Sequence, residues 1–245
     1  MFNRAISDRF LNRLAASPRG CAFVLTFLVG AEEGDETGVF DHLLDRVDDP
    51  KLQHMVRRHR DDETEHAQAL RACLERYRGV SVPEPLKVIP FYERELDGVA
   101  ASFVAGRVGV MEAYLTLQVI EERGVLQYPL TAAAIAPYDP ESAKVINRIV
   151  RDEIRHVRYA KAISERYAPD PRTLAATLSR YRKAEARAFT KHGSAILAQA
   201  VDADLLAVGS LERLAWRAVA WGSRGASREV ALQAPGRESH SGAGP

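Results

Sequence analysis

The sequence predicts an all-α protein built on four long antiparallel helices, with a short helix before them and further helices after them. Long stretches carry apolar residues at helical spacing, and prolines or short acidic segments separate those stretches. No segment of useful length alternates apolar and polar residues in the manner of a strand. With 245 residues and a hydrophobic fraction of 46%, the chain has enough apolar material for one medium-sized domain with additions.

The N-terminal part of the sequence predicts a short helix and then two long ones. An amphipathic helix over about 3–16 is followed by a Ser-Pro-Arg-Gly segment, and the first long helix is expected over about 21–47. An Asp-Asp-Pro segment then breaks the chain. Because proline is well placed at the first position of a helix, the second long helix is expected over about 51–77.

The connection after the second long helix is longer than a tight hairpin needs. Residues 79–91 are rich in proline and β-branched side chains, which predicts a crossover between the second and third long helices. The third helix is expected over about 95–128, where Pro129 should end it. The fourth is expected over about 143–167.

Two more helical stretches follow, over about 172–191 and 204–221, before the composition changes at Gly222 to Gly, Ser, Arg and Pro. Such a composition buries little apolar surface, and we expect a disordered tail. The predicted segments are an N-terminal helix and linker at 1–20, a four-helix bundle at 21–167, a C-terminal helical extension at 168–222, and the tail at 223–245.

The charge and the cysteine content narrow the functional classes. Lys+Arg 34 against Asp+Glu 33 leaves a net charge of +1, so no overall field favours nucleic acid or an anionic membrane. Cys21 and Cys73 form no CxxC pair, which excludes a rubredoxin-type electron donor on this chain. The apolar run at 21–30 is shorter than the roughly 20 residues that span a bilayer. We expect a cytoplasmic protein with buried, reduced thiols and no membrane or nucleic-acid partner.

Two related motifs carry the strongest chemical signal. Residues 62–66 read Asp-Glu-Thr-Glu-His on the second long helix, and residues 152–156 read Asp-Glu-Ile-Arg-His on the fourth. Residues three apart share a helix face, so each Glu-x-x-His motif can hold one metal ion. Because both motifs lie within apolar stripes, their polar side chains are costly to bury unless they are paired or metal-bound. Inter-helix salt bridges with nearby arginines are the alternative explanation.

A di-metal site of this kind needs one further carboxylate from the first and third long helices. Each of these helices offers a pair, Glu32-Glu33 and Glu121-Glu122. At 100° per residue, Glu33 and Glu121 lie opposite the polar positions of their helices, so we select them, with Glu32 and Glu122 as close alternatives. The predicted metal ligands are Glu33, Glu63, His66, Glu121, Glu153 and His156.

Other residues near these positions receive supporting roles. Glu36 is a candidate supplementary ligand. His59, one turn before Glu63, is either a seventh ligand or a hydrogen-bonded core histidine, and the core role is the more common one for such a residue. The residues predicted to line a pocket are Phe40, Tyr114, Gln118 and Tyr128. No catalytic residue is predicted beyond the metal site.

The pattern over residues 21–167 resembles the ferritin-like di-iron carboxylate superfamily, which includes ferritins, rubrerythrins, ribonucleotide reductase small subunits and bacterial di-iron hydroxylases. The resemblance implies a ferritin-like antiparallel four-helix bundle that binds two iron ions, with manganese or a mixed Mn/Fe pair as alternatives. It also implies that Asp62 and Asp152 orient His66 and His156, whereas the alternative for both aspartates is ordinary solvent-facing charge.

Three functions compete for this pattern. The first is an oxidoreductase that activates O2 or peroxide, acts on an unknown small-molecule substrate and takes electrons from a separate donor. The second is iron oxidation with storage or detoxification, and the third is a non-catalytic helical scaffold with a structural di-metal site. The crossover over 82–91 and the roughly 55 residues of mostly helical chain after Tyr167 favour the first, because they could build a substrate cavity or the interface of the homodimer that we expect.

Overall fold

A computed structural model describes residues 4–33 and 38–231, with side chains for residues 6–33 and 38–222. These residues form ten α-helices and one short 3-10 helix without any strand, so the predicted all-α class is confirmed. The first five helices are α1 (Arg4–Ala15), α2 (Pro18–Glu32), α3 (Val39–Arg46), α4 (Pro50–Leu74) and α5 (Ile89–Glu95). The others are α6 (Val99–Val104), α7 (Val110–Ile135), α8 (Pro140–Tyr167), α9 (Pro171–Asp202) and α10 (Ser210–Ala231), and the 3-10 helix Glu75–Tyr77 continues α4.

Four helices begin with the same local device. A side-chain oxygen accepts a hydrogen bond from a backbone N–H of the first turn. The next residue is a proline, which has no N–H and therefore leaves no unpaired donor at the start of the helix. The four pairs are Ser17-Pro18 at α2, Asp49-Pro50 at α4, Asp139-Pro140 at α8 and Asp170-Pro171 at α9.

Two of the predicted long helices are interrupted. The first ends at Glu32 and resumes as α3 after Gly38, whose φ of 65° lies in the left-handed region; residues 34–37, with Glu36, lie outside the described residues. The third was predicted to start near residue 95, but α7 starts at Val110, after the separate helices α5 and α6. Positive φ angles at Asp97, Gly98 and Gly106 stop helical propagation there.

Other predicted helix ends move outward. Pro129 does not end α7, which continues to Ile135 because extensive packing along α8 compensates for the one hydrogen bond that proline removes. The helix after Tyr167 runs to Asp202 rather than to about 191, and α10 continues past Gly222 to Ala231. The remainder of the predicted tail, residues 232–245, lies outside the described part of the chain.

The helices α2, α4, α7 and α8 surround the centre of the molecule. Helix α2 packs on α4, α4 on α8, and α8 on α7, while α9 contacts α5, α7 and α10, and α1 contacts α2 and α7. Two apolar clusters lie at different levels along these helices. Leu70 and Ile149 belong to one cluster, and Val56 and Ile163 belong to the other. Between these levels, α4 and α8 carry polar side chains.

Within the described residues, no single helix is long and apolar enough to cross a membrane. Only α1 and α2 taken together pass that test, and they are bent by 113° at their junction.

The cap of α8 carries more interactions than the cap of α9. Asp139 is only 7% exposed, and besides capping the N–H of Ser142 it accepts hydrogen bonds from Arg76 and from the hydroxyl of Tyr77. Asp170 caps its helix at an exposed position.

We expect Asp139→Ala to lower the free energy of unfolding by about 2–4 kcal/mol, because it removes a cap and leaves partly buried donors unpaired. The matched variant Asp170→Ala loses its cap and one exposed hydrogen bond from Thr173, and it should cost about 1 kcal/mol. Urea denaturation followed by circular dichroism measures both, and equal losses would contradict the assignment.

Candidate metal centre

Seven side chains from four helices converge at the centre of the molecule. They form two overlapping groups, and within each group the potential ligand atoms all lie within 4.8 Å of one another. One group contains His59, Glu63, Glu121 and His156, and the other contains Glu32, Glu63, His66 and Glu153. Because Glu63 belongs to both groups, the arrangement has the form of two adjacent sites that share one carboxylate.

Helical spacing accounts for five of the seven. His59, Glu63 and His66 follow one another at intervals of four and three residues, which places them on one face of α4. Glu153 and His156 are three residues apart on α8. The other two carboxylates come one each from α2 and α7.

The contacts within the centre join helices in pairs. The Nδ1 atom of His66 lies 3.0 Å from a carboxylate oxygen of Glu32, and Nε2 of His59 lies 3.0 Å from Glu121. The ring of His59 also stacks on that of His156, with centroids 4.0 Å apart. The centre thereby ties α2 to α4, α4 to α7, and α4 to α8.

Each motif's aspartate holds the histidine of the other motif. The Nε2 atom of His156 lies 3.1 Å from Asp62, and Nε2 of His66 lies 3.3 Å from Asp152. Arg155 bridges the two aspartates at 2.6 and 2.5 Å. A carboxylate accepts hydrogen bonds, so Nε2 of each histidine carries a proton, and Nδ1 faces the carboxylates of the centre, where it would be the atom that binds a cation.

The arginine also keeps Asp62 ionised. Burial opposes the charge of this carboxylate, but hydrogen bonds from Arg155 and His156 outweigh burial and lower the pKa of Asp62. A permanently charged aspartate is a constant acceptor for the histidine N–H.

The carboxylates of the centre lack enough positive partners among the described residues. Burial, and then the charges of Glu32 and Glu121, raise the pKa of Glu63 well above its ordinary value. Burial and the charge of Glu121 raise the pKa of Glu153 to about 8. Oε1 of Glu63 and Nδ1 of His156 face each other at 3.2 Å, yet within the described structure neither makes a well-directed hydrogen bond. Unpartnered ligand atoms aimed at one point fit a bound cation.

The structure corrects one predicted ligand and selects between the alternatives. Glu33 is exposed and forms an ion pair with Arg71, whereas Glu32 points into the centre. The reason is the rotation of α2: its buried Leu28 lies one helical turn before Glu32, so Glu32 shares the inward face. On α7, the predicted Glu121 points inward, and its neighbour Glu122 pairs with Arg182 instead.

Among the supporting residues, His59 lies inside the centre rather than serving only as a core histidine. Of the predicted pocket residues, Tyr128 donates a hydrogen bond to Glu32, and Phe40 meets the His59 ring edge-on at 4.8 Å. Neither Tyr114 nor Gln118 lines the two cavities described below. Tyr114 is fully buried in the core, and Gln118 donates to Glu122.

A cavity of about 480 Å³ opens onto one side of the centre. All four glutamates line it and none of the three histidines does, so the carboxylates separate the histidines from the cavity. A smaller cavity of about 110 Å³ reaches three of the same glutamates and is lined in part by Phe40.

The large cavity is walled by α1, α2, α7 and α9, including helices outside the predicted bundle. The sequence analysis selected Tyr128 of α7 as a pocket residue but none of the lining residues of α1 and α9. On α9 they include Phe189, Gly193 and Ile196, at intervals of four and three residues, and this spacing was the available signal.

No protein-family model, curated protein or solved structure matches this chain.

We expect Glu153→Gln to stabilise the metal-free protein near neutral pH by about 1–3 kcal/mol, because glutamine is neutral without taking up the proton that burial and Glu121 force onto Glu153 in the folded state. Because the pKa of Glu153 is raised in the folded state, its favourable contribution to the free energy of unfolding of the wild type is fully present below the ordinary pKa of 4.5. That contribution is lost as the pH rises towards about 8. The exposed variant Glu33→Gln is the control and should change stability little.

Urea denaturation after treatment with a chelator measures this effect. Adding Fe(II) under anaerobic conditions should reverse the order, since the wild type then gains more from metal binding than the variant does. A destabilised Glu153→Gln protein in the chelator would contradict the account of repelling carboxylates.

Proposed function

We propose that this protein is a di-iron oxidoreductase that activates O2 or peroxide to oxidise a small molecule, with its metal site in a ferritin-like four-helix bundle formed by α2, α4, α7 and α8. The observation that carries the proposal is that two groups of potential ligands, which share Glu63, border a large cavity. The bundle assignment is supported by the long connection between α4 and α7 and by the contribution of all four helices to the centre.

The ligand set favours iron or manganese. Carboxylates and imidazoles are hard and borderline donors, and four glutamates balance the charge of two divalent ions. His59, Glu63, Glu121 and His156 would hold one ion. Glu32, Glu63, His66 and Glu153 would hold the other. Such a pair supplies redox equivalents and a Lewis-acidic site at which O2 or peroxide can react.

The protein's own groups prepare this chemistry. Asp62 and Asp152 fix the proton on the outer nitrogen of each histidine, so that the ring orientation is set before any ion binds. The hydroxyl of Tyr128 donates to Glu32, which holds that carboxylate at the edge of the cavity. The apolar walls of the cavity limit the access of water to the same edge.

The cavity separates the proposed enzyme from its two alternatives. A structural metal site or an iron-storage protein needs no cavity for an organic molecule, whereas an oxidoreductase that acts on a small molecule needs one. Here the helices added to the bundle, α1 and α9, line that chamber. A separate electron donor and a homodimer remain predictions of the same proposal.

We expect purified protein to bind about two metal ions per chain, and Glu63→Ala to bind at most about one, because that side chain belongs to both ligand groups. The control variant Glu33→Ala removes only the exposed ion pair between Glu33 and Arg71, and it should retain about two metal ions per chain. Elemental analysis after gel filtration measures the content. Equal metal content in the two variants would overturn the site.

Exposure of the Fe(II)-loaded protein to air should produce a near-ultraviolet absorption band in the wild type and not in Glu63→Ala, because the band requires two coupled ferric ions. Titration with excess Fe(II) should saturate at about two ions per chain. Continued uptake far beyond that ratio would instead indicate storage, and a featureless spectrum in protein with bound iron would indicate a structural site.

A further inference from the structure

The wall of the large cavity is mainly aromatic and aliphatic. Four phenylalanines from α1, α2 and α9 contribute, namely Phe10, Phe23, Phe27 and Phe189. A volume of about 480 Å³ lies within the range of cavities that enclose a small organic molecule. The side chains that meet such a molecule would therefore be hydrophobic over most of its surface.

The cationic side chains in the described lining are not available to a charged ligand. Arg123 makes two hydrogen bonds of 2.8 Å to Glu185 and stacks on the ring of Phe189. His192 donates through Nε2 to the carbonyl of Leu86, and burial lowers the pKa of its ring, which keeps it neutral. A carboxylate or phosphate in this cavity would find no free counter-charge among these residues.

Several of the remaining polar groups are also satisfied from within the protein. The hydroxyl of Thr131 donates to the carbonyl of Gln127, that of Thr190 donates to the carbonyl of Ala186, and that of Tyr128 donates to Glu32. A ligand that needs several hydrogen bonds would lose those it makes with water and recover few here. The cavity thus discriminates against polar molecules and against anions. With two divalent ions bound, the four glutamates in its lining would carry no excess charge for a cation either.

We propose that the large cavity binds an uncharged molecule with a mostly hydrocarbon surface and presents it to the carboxylate side of the centre. This inference rests on the proposed function, because it treats the cavity as the substrate site of that centre. It narrows the substrate class to neutral aromatic or aliphatic compounds.

A pair of probes tests the inference directly. N-phenyl-1-naphthylamine is neutral, and 8-anilino-1-naphthalenesulfonate has nearly the same skeleton with one sulfonate. We expect the protein as purified to bind one molecule of the neutral probe and to bind the sulfonate at least about tenfold more weakly, because the charge would be buried without a partner. Trp216 packs against Phe10 in the cavity wall, so binding should also quench tryptophan emission.

Filling the cavity locates the bound probe. Gly193 lines it on α9, where a Cβ atom would have no contact within 4 Å and the φ angle is not positive, so Gly193→Phe can place a ring there without backbone strain. We expect this variant to weaken the neutral probe at least about tenfold by occupying the hydrophobic volume. The control Gly222→Phe, at an exposed position on α10 outside both cavities, should bind like the wild type.

If Gly193→Phe loses helical circular dichroism, Ala186→Trp at the exposed rim of the same cavity replaces it. Sulfonate binding as tight as that of the neutral probe, or unchanged neutral binding in the folded filling variant, would overturn the inference. Metal content, measured on the same samples, distinguishes the two proposals. A protein that binds the probe but holds no metal would support the neutral-ligand cavity and contradict the proposed metal site. A protein that holds about two metal ions but does not bind the probe would support the metal site and contradict the proposed ligand class.

Discussion

The structure depends on one electrostatic constraint: four glutamates, three of them buried and Glu63 half-buried, meet at the centre of the helices, where burial and repulsion from the other carboxylates oppose the charges of Glu63 and Glu153. Such a group is tolerable only with protons or cations bound. The surrounding contacts place possible positive charge beside the carboxylates, since three histidines lie among the glutamates. Asp62 and Asp152 each accept a hydrogen bond from one of those histidines on the outer side of the centre. Two divalent ions would convert a destabilising centre into one that ties four helices together.

The centre has two different sides. On one side, the crossed pairs of His156 with Asp62 and His66 with Asp152 join α4 to α8, and Arg155 links the pairs. On the other side, the glutamates border the cavity and no histidine of the centre does. The two histidines held by aspartates thus lie opposite the side where a substrate of the proposed enzyme would approach. This division gives a physical reason to place chemistry at the cavity rather than at the surface of α4 and α8.

The helices outside the four central ones have a clear structural use. Helices α1 and α9 cover the central helices and line the cavity with apolar side chains. Buried Glu185 on α9 neutralises Arg123 of α7, so that the one guanidinium in the described lining is not available to an anionic ligand. The same segment therefore contributes to the stability of the wall and to the selection of neutral molecules.

The sequence by itself determined the helical class and the two Glu-x-x-His motifs, because residues three apart on a long helix share a face whatever the helix packs against. It also selected the two glutamate pairs from which Glu32 of α2 and Glu121 of α7 reach the centre. Only tertiary structure decided that Glu32 rather than Glu33 faces inward, since neighbouring positions differ by 100° and packing sets the rotation of each helix. The inclusion of His59, the crossed aspartate contacts and the cavity likewise depend on how separate helices pack, which local spacing cannot specify.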